Sequence, residues 1–319
     1  MSAALGLAVV VSGSPAAAGS DDFEQWLAAF RQHAAAEGIG AATLDQALDG
    51  LAPVPRVIEL DRRQPEGRLT FRDYNRRVLS ETRIERGRAL LREHRALLDR
   101  VAADYGVQPR FIVALWGIES SYGSFVGEYS VIGALATLAY DGRRAAFFRK
   151  ELLQALRIVD DGDVKPAAMM GSWAGAMGQS QFMPSSYLAY AVDYDRDGRR
   201  DIWGTPADIF ASIANYLAKA GWNDRYTWGR QVRLPEQLPA VAAGLEIVRP
   251  LPEWQALGIR RSNGLDLPMV ALDAALLQMD DGEGPAYLVY HNFRVLMAWN
   301  RSTYFALTVG ELADLISVG

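Results

Sequence analysis

A single carboxylate at the end of an apolar helix is the feature that most constrains this chain. The helix is predicted to begin at Pro109, because the missing N–H of a proline would be unpaired in a first turn anyway. Its apolar positions are Phe111, Ile112, Ala114, Leu115 and Ile118. Glu119 follows them, just before the turn-forming Ser121 and Gly123. The fold must therefore accommodate a core helix that ends in an acid.

Two interpretations of Glu119 are open from this stretch alone. With Trp116 and Tyr122 nearby, the carboxylate can lie against apolar surface at the wall of a cleft. Desolvation there raises the pKa of a carboxyl group, as a general acid needs. Alternatively, Glu119 is a surface residue that ends a core helix, since most ionisable residues are solvated.

The composition excludes several classes of site. The 319 residues contain no cysteine, so we expect no disulfide, thiolate metal site, Cys nucleophile or lipid-modified cysteine in this chain. The net charge of −5 gives no electrostatic case for binding nucleic acid or an anionic membrane surface. His33, His94 and His291 form no HExxH pattern, which argues against a His-based zinc site. His94 falls on an apolar stripe and is predicted to be a core residue.

The first residues resemble a signal peptide. Leu5–Val11 is a short apolar run, and Ala16–Ala18 before Gly19 is typical of a small-residue cleavage site. A positively charged start is missing, and the alternative is an Ala/Gly/Ser-rich tail. We interpret residues 1–19 as a signal-peptide-like segment and expect export. No stretch reaches the ~18 apolar residues that span a bilayer.

The next part of the chain has helical patterns. Asp21 is a good N-cap for a first helix. Residues 53–65 contain prolines and are predicted to run extended over the surface. Apolar residues at spacings of three and four then predict one long helix from Ser80 to Tyr105.

A glycine-rich segment, Gly171–Pro184, reads GSWAGAMGQSQFMP. Glycines at this density indicate backbone that turns sharply or approaches a ligand closely. The segment is not a phosphate-binding GxxxxGK[ST] loop, because it has no lysine. Ser180 does not lie in a GxSxG nucleophile elbow either, because Phe182 occupies the last position.

A DxDxDG string matches the first half of a calcium loop, with carboxylates at Asp193, Asp195 and Asp197. The Glu expected at the twelfth position is missing, because Gly204 stands there. Asp208 either supplies the absent ligand or belongs to the capping box of the next helix. We expect a structural Ca2+ here; the alternative is an Asp-rich turn without an ion.

The rest of the chain changes character twice. A helix is predicted over residues 206–219, followed by scattered prolines and short β-type runs such as Leu245–Val248. Helical patterns return over residues 284–299 and 309–316. These patterns predict a mainly α (α+β) protein with a small β-rich insertion.

Several motifs together resemble one known family. In chain order they read WGIESSYG, GSWAGAMGQSQFMPSSY, VDYDRDGRRDIW, ANYLAKAGW and NFRVLMAWNRSTYFAL. In this order they are similar to the lytic murein transglycosylase B family. The resemblance covers most of the chain from about residue 22 to the end.

The resemblance implies a lysozyme-like helical core with a flanking helical domain and a small β insertion. The ranges that follow from it are an N-terminal helical domain at 20–106, a catalytic core with the calcium-type loop at 107–227 and a β-rich domain at 228–283. C-terminal helices at 284–319 would complete the core and the helical domain.

The resemblance also implies an activity and a set of site residues. The family cleaves the β-1,4 bond between N-acetylmuramic acid and N-acetylglucosamine in peptidoglycan and leaves 1,6-anhydromuramic ends. Glu119 matches the single catalytic acid/base. The residues that match the family's substrate cleft are Ser172, Gln181, Tyr216, Tyr74 and Asn300. Those that match its calcium loop are Asp193, Asp195, Asp197 and the carbonyl of Arg199, with the role of Asp208 open.

Two positions depart from the family pattern. Trp299 stands where the family often has a tyrosine; it can stack on a sugar but cannot donate a phenol O–H. A tyrosine expected near the end of the last motif aligns with Phe305, although Tyr304 is adjacent.

The motifs supply one carboxylate where a glycosidase ordinarily uses two. We therefore expect the substrate's own N-acetyl group and C6 hydroxyl to assist Glu119. The alternatives are a lysozyme-type muramidase that activates water and a catalytically silent peptidoglycan-binding protein. We expect no cofactor for catalysis and a periplasmic, soluble monomer that binds peptidoglycan glycan strands. We expect no nucleic-acid partner and no membrane anchor in this chain, and a place in a cell-wall synthesis complex is open.

Overall fold

The computed structural model describes residues 18–63, 69–236 and 243–318, with side chains from residue 22 onward. Residues 1–17 of the predicted signal-peptide-like segment lie outside the described residues, whereas residues 18 and 19 belong to the first helix, Ala18–Ala36, which begins before the predicted N-cap Asp21. Within the described ranges, no helix is both long enough and apolar enough to cross a membrane.

Helices dominate the architecture. They are α1 Ala18–Ala36, α2 Ala41–Leu48, α3 Pro55–Arg62, α4 Phe71–Val78, α5 Glu81–Glu93, α6 Arg95–Tyr105, α7 Pro109–Ser120, α8 Val131–Asp141, α9 Ala145–Asp160, α10 Pro184–Tyr190, α11 Pro206–Lys219, α12 Leu251–Ala256, α13 His291–Trp299 and α14 Thr303–Ser317. The strands are β1 Tyr129–Ser130, β2 Met170–Gly171, β3 Gly229–Arg233, β4 Val248–Pro250, β5 Arg260–Arg261, β6 Asp273–Gln278 and β7 Ala286–Val289. The predicted mainly α (α+β) class is confirmed.

The five-stranded sheet is antiparallel, with strand order β4-β6-β7-β3-β5. β7 lies in the middle, where Leu288 pairs with Leu276 on one side and Arg230 on the other. The predicted helix from residue 284 is therefore wrong at its start, because a short apolar run has no period that separates a buried strand from a helix. The sheet also extends beyond residue 283, the predicted end of the β-rich insertion.

Two large apolar clusters fill the helical part. The first core surrounds α7, whose residues 111–117 are buried, and draws side chains from α11 and α14. The second core is built mainly by α8 and α9, with α1 packed on them. Trp299 packs against both cores, so the end of α13 lies where they meet. A smaller cluster around Trp254 lies on one face of the sheet.

The segment predicted to run extended over residues 53–65 contains helix α3 instead. Pro55 begins this helix, where the fixed φ of proline suits a first turn. Val57 is buried in the second core, and the Val54 N–H donates to Thr137 Oγ1 at 3.0 Å. Proline here starts a helix rather than preventing one.

The single long helix predicted from Ser80 to Tyr105 is two helices that meet at His94. The backbone of His94 leaves the helical region, at φ −95° and ψ 13°. Its ring lies edge-on to Trp116 and Phe210, with centroids 5.9 and 5.2 Å apart. His94 packs against aromatic residues of the first core but is only partly buried, so its prediction as a core residue holds in part. The break escaped prediction because the apolar spacing continues across it.

Candidate active site

The turn that ends α7 holds Glu119 in place. The chain leaves the helix through Ser121 and Tyr122, both in the left-handed region at φ 50° and 59°. This folds the Tyr122 ring back onto Gly117, where a Cβ would lie only 2.5 Å from the ring. The Tyr122 hydroxyl then donates to the Arg83 carbonyl at 2.9 Å. The helix end that carries Glu119 is therefore held by the contact of Tyr122 with Gly117 and by its hydrogen bond to Arg83.

The Glu119 carboxyl group lies in a dry environment. The residue is half-buried, and burial raises the pKa of its carboxyl to about 7. A hydrogen bond from Trp299 acts in the opposite direction and lowers the pKa. In the described ranges, no ion pair and no second acidic side chain contributes to the pKa of Glu119. Glu119 is thus an isolated acid that keeps its proton up to about neutral pH.

Trp299 holds one oxygen of that acid. Its indole N–H donates to Glu119 Oε1 at 2.7 Å. The indole ring packs against Tyr216 and Phe182, with centroid distances of 4.7 and 5.2 Å. The Tyr216 hydroxyl donates to the carbonyl of Ala298 at 2.8 Å, next to Trp299 in the chain. The predicted stacking of Trp299 on a sugar stays a prediction, because its observed partners are protein groups.

The glycine-rich segment folds back on itself by backbone pairing. Bridges join Gly171 to Met177 and Met177 to Phe182. The Ser172 Oγ accepts the Ala176 N–H at 3.0 Å, which closes the first turn. A side chain at Gly171 would overlap the Ala176 carbonyl. The close approach that the glycines predicted is therefore, at this position, an approach of backbone to backbone.

Gln181 ties this segment to the loop that follows Glu119. Its backbone is left-handed at φ 50°. Its side-chain amide donates to the carbonyls of Val126 and Gly178 at 3.0 and 2.9 Å. Gly127, next in that loop, approaches Gly171 so closely that a Cβ would overlap its carbonyl. The structure thus brings Gln181 beside the same turn that carries the acid.

Tyr74, on α4, is a predicted cleft residue whose pKa Glu119 affects. Burial and then the negative charge of Glu119 raise the pKa of Tyr74, so the phenol lies within electrostatic reach of the carboxylate. Its ring centroid lies 5.7 Å from that of Tyr304, whose hydroxyl donates to Asp280 Oδ1 at 2.9 Å. Phe305, the aligned position, is buried in the first core. Tyr304 is therefore the residue that supports the Tyr74 ring.

The remaining predicted cleft residues lie around the end of α13. Tyr216 is half-buried on α11, and burial raises the pKa of its phenol. Its ring also packs against Tyr190, with centroids 4.4 Å apart. Asn300 is exposed, and its Oδ1 accepts the Ser302 N–H at 3.2 Å. A contact of Tyr216 or Asn300 with substrate stays a prediction.

Gln179 is a residue of the site that the sequence patterns missed. Its Oε1 accepts the indole N–H of Trp116 at 2.7 Å, one turn before Glu119. Its amide nitrogen donates to the Trp203 carbonyl at 2.6 Å, beyond the Asp-rich loop. Gln179 thus connects helix α7 to that loop. The available signal was the indole of Trp116, since a buried indole N–H usually has a hydrogen-bond partner.

The Asp-rich loop gathers three carboxylates. Oxygens of Asp193, Asp195 and Asp197 lie within 4.8 Å of one another. Gly198 follows with φ 94°, as the sharp turn of such a loop requires. The Arg199 N–H donates to Asp197 Oδ1 at 2.9 Å. The donor set is made of hard oxygen ligands, which fits a calcium-type cation; the Arg199 carbonyl as a ligand stays a prediction.

Asp208 does not belong to this group of carboxylates. It is buried at the start of α11, and its two oxygens accept the N–H groups of Tyr194 and Asp201 at 2.7 and 2.8 Å. Burial raises the pKa of Asp208, and these hydrogen bonds lower it. Asp201, which the sequence patterns did not single out, accepts the N–H groups of Trp203 and Gly204 at 2.9 Å each. Asp208 therefore braces both ends of the loop from inside.

The arrangement favours one-acid chemistry. A protonated carboxyl of pKa about 7 can donate a proton and, once ionised, take one back. In a two-carboxylate glycosidase the second group lies about 5–9.5 Å away. Among the described residues, the aspartates and glutamates make no contribution to the Glu119 pKa. Among the described residues, the hydrogen bond that the Glu119 carboxyl accepts comes from the neutral indole of Trp299.

Comparison with known proteins places this geometry in context. The sequence model of the family described as "Transglycosylase SLT domain" matches residues 22–314. Membrane-bound lytic murein transglycosylase B of Escherichia coli (strain K12) is 32% identical over 249 residues, which cover 77% of this chain and 67% of that protein.

Solved structures are similar over nearly the whole chain. SltB3 from Pseudomonas aeruginosa, in complex with NAG-NAM-pentapeptide, is 48% identical, with a TM-score of 0.91 over 93% of this chain and 80% of that one. The Escherichia coli lytic transglycosylase Slt35, in complex with calcium, is 29% identical, with a TM-score of 0.78 over 94% and 93% of the two chains.

Proposed function

As a member of the transglycosylase SLT domain family, this chain is a lytic transglycosylase that acts on peptidoglycan, and we propose that Glu119 is its single acid and base. The observation that carries the proposal is the half-buried Glu119 carboxyl with a pKa raised to about 7. Such a group is protonated at the start of the reaction and can ionise during it. The fold is the lysozyme-like fold of the related lytic transglycosylases.

The proposed reaction uses the substrate's own groups. Protonated Glu119 donates its proton to the oxygen of the β-1,4 bond between N-acetylmuramic acid and N-acetylglucosamine, and that bond breaks. The acetamido carbonyl of the muramic residue stabilises the positive charge that develops at C1. Ionised Glu119 then takes the proton of the C6 hydroxyl while the C6 oxygen bonds to C1. No water is consumed, and the product carries a 1,6-anhydro ring.

Tethered attack explains why one carboxylate suffices. A nucleophile held in the same sugar gains a high effective molarity, equivalent to several kcal/mol of the barrier. The protein then needs to orient the acetamido group and to exclude water. Gln181 and Ser172 are our proposed groups for that orientation, with Tyr74 beside the acid. What supports them is their placement on the glycine-rich segment and on α4, next to the turn that carries Glu119.

Replacing Glu119 by glutamine tests the proposal. Glu119→Gln keeps the size of the side chain and an acceptor for the Trp299 indole, but it removes the proton. We expect a loss of at least ~100-fold in the release of anhydro-muropeptides from purified murein, the low end for general acid–base catalysis. The measurement is chromatography and mass analysis of the soluble products.

The exposed Glu246→Gln is the matched control and should retain the wild-type rate. Near-normal turnover by Glu119→Gln would reject the assignment of the acid. Reducing ends in place of anhydro ends would identify a muramidase that uses water. Binding to insoluble murein without solubilisation would identify a silent binding protein.

A structural calcium ion is the second part of the proposal. Asp193, Asp195 and Asp197 would hold it, together with the Arg199 carbonyl, and it would stabilise the loop rather than take part in chemistry. The support is the gathered carboxylate oxygens and the calcium complex of Slt35. Both oxygens of Asp208 are engaged by backbone N–H groups, so we assign Asp208 to bracing the loop.

The site of action follows from the substrate. Peptidoglycan lies outside the inner membrane, so we propose that this enzyme works in the periplasm. We also propose that it is a monomer. An association with cell-wall synthesis enzymes is compatible with that location. Cell fractionation with antibody detection tests the location, and light scattering of the purified protein tests the monomer.

A further inference from the structure

Trp299 is the described residue that hydrogen-bonds directly to the carboxyl group of Glu119. The indole of tryptophan can donate a hydrogen bond through its N–H, but it has no atom that can accept one. The oxygen at the other end of this 2.7 Å bond, Oε1, must therefore present a lone pair in both protonation states. The carbonyl oxygen of a carboxyl group is a better acceptor than its hydroxyl oxygen, so protonated Glu119 carries its proton on Oε2.

The indole is held too firmly to leave that position easily. Phe182 and Tyr216 pack against its ring, and the Tyr216 hydroxyl anchors the preceding carbonyl of Ala298. Trp299 also ends α13, whose Phe293 and Leu296 are fully buried in the first core. The bond to Oε1 is thus built into the fold and does not depend on a surface rotamer.

The same bond changes the strength of the acid. A donor on Oε1 stabilises the ionised carboxylate more than the protonated carboxyl, since charge-assisted hydrogen bonds are the stronger ones. Desolvation acts in the opposite sense and is the larger influence on the pKa of Glu119. Together they bring the pKa of Glu119 to about 7. A group that must serve as both acid and base works best when its pKa is near the operating pH.

Resting on the proposed role of Glu119, we propose that Trp299 is a positioning residue that directs the catalytic proton to Oε2 and keeps the acid able to ionise. This role differs from the sugar stacking that the sequence indicates for Trp299. Stacking would act on substrate affinity, whereas direction of the proton acts on the chemical step and on its pH dependence.

Trp299→Phe separates the two roles, because it keeps an aromatic ring and removes the N–H. On soluble glycan fragments of peptidoglycan, we expect kcat to fall about tenfold while KM changes less than about twofold, which corresponds to one hydrogen bond to a charged group. The alkaline limb of kcat/KM should move upward by about one pH unit, because the ionised form loses its donor.

A control separates this effect from a general loss of stability. Trp254→Phe removes another indole N–H bond, to the Ala274 carbonyl at 2.9 Å, in the cluster on the sheet. Trp254→Phe should leave the alkaline limb of kcat/KM at the wild-type pH. If Trp299→Phe raises KM and leaves the alkaline limb of kcat/KM at the wild-type pH, the inference is overturned in favour of sugar stacking. Wild-type kinetics in Trp299→Phe would overturn both roles.

Proton NMR of the free enzyme tests the bond without any turnover. The chain has eight tryptophans, so the Trp299 indole N–H resonance can be assigned by its loss in Trp299→Phe. It should shift downfield with a midpoint near pH 7 as Glu119 ionises, and it should not titrate in Glu119→Gln. A resonance that stays fixed in the wild type, or titrates in both proteins, would refute the proposal. An active Glu119→Gln enzyme would instead refute the proposed acid itself.

Discussion

Glu119 is subject to two opposing influences, and their balance has a consequence for folding. Burial disfavours the charged carboxylate, and the Trp299 N–H favours it. The pKa is about 7 in the folded protein, against 4.5 for the unperturbed side chain. The folded state therefore binds this proton more tightly than the unfolded state. Stability from this source is present below about pH 4.5 and is lost as pH rises through 7.

Glu119→Gln should therefore stabilise the protein at alkaline pH. Relative to wild type, we expect its free energy of unfolding to gain at most about 3 kcal/mol between pH 5 and pH 8, since each pKa unit corresponds to about 1.4 kcal/mol. Denaturant titrations of both proteins at the two pH values measure the difference, and other titrating groups cancel. An equal stability difference at both pH values would contradict the raised pKa.

At this scale the sequence predicted the acid but not its partner. WGIESSYG places Glu119 at the end of an apolar helix, which leaves a desolvated acid and a surface residue both open, and the family resemblance favours the acid. The bond to Trp299 joins residues 180 positions apart in the chain. Gln179 likewise reaches Trp116 across 63 positions. Single-sequence periodicity carries information about near neighbours only, so neither contact could be derived from it.

The contact between Gly127 and the glycine-rich segment depends on the absence of a side chain at Gly127. Gly127 follows the catalytic turn, and its φ of 100° lies in the region that only glycine adopts easily. Its Cα also faces the Gly171 carbonyl with no room for a Cβ. Backbone approach at this point keeps Gln181 beside the loop of the acid.

Gly127→Ala should destabilise the protein by at least about 3 kcal/mol, from backbone strain and steric overlap together. Gly142→Ala is a matched control, because Gly142 also has a positive φ, 93°, but faces open space. It should show the strain alone, about 1 kcal/mol. Thermal and denaturant unfolding measure both. Equal losses in the two variants would mean that the contact with Gly171 has no energetic weight.

The Asp-rich loop is the element whose stability should respond to metal. Calcium that binds only the folded state raises the melting temperature by mass action, by an amount equivalent to about 2.7 kcal/mol at 100 times Kd. Asp195→Asn should lose most of this shift, while the exposed Asp224→Asn should keep it. Chelated enzyme should stay active at low temperature. An absent shift in the wild type would argue against a structural ion.

Element boundaries show where sequence patterns lose their power. The start predicted at Pro109 and the helix predicted over residues 206–219 agree with α7 and α11. The break at His94 lies inside an unbroken stripe, and β7 is too short to display any period. In both cases tertiary packing decides: the His94 ring packs on Trp116, and β7 is paired on both edges.

On the scale of the whole molecule, the last helix, α14, completes the core around α7. α14 packs on α7 and α5, and Gly310 gives room to the ring of Trp228. Asp314 accepts hydrogen bonds from Arg110 on α7 and from the Trp228 indole, at 2.8 and 3.0 Å. The end of the chain thus supports the helix that carries the acid.

Leu312→Ala should cost about 2–5 kcal/mol of unfolding free energy, the range for a buried leucine that leaves a cavity. Leu312 is fully buried, whereas Leu315 on the same helix is 38% exposed. Leu315→Ala should therefore cost less than about 1 kcal/mol. Urea titration of the two variants checks the contrast. Equal losses would mean that α14 does not anchor the core.

The overall fold could be predicted from the sequence because its motifs occur in the same order as those of a known family. The resemblance from residue 22 onward predicted the family, and local patterns predicted helices in the regions of α1, α7, α11 and α14. How the two cores meet was beyond reach, because Phe182, Tyr216 and Trp299 come from three separate segments. Their packing depends on three-dimensional fit rather than on any local pattern.

The junction of the two cores divides the work of the enzyme. Glu119, Trp299 and Tyr74 belong to segments anchored in the first core, whereas Ser172 and Gln181 lie on a segment anchored in the second. The residues proposed to handle the proton and those proposed to orient the sugar are thus anchored in different cores. We expect a glycan strand to contact residues from both cores when it is cut.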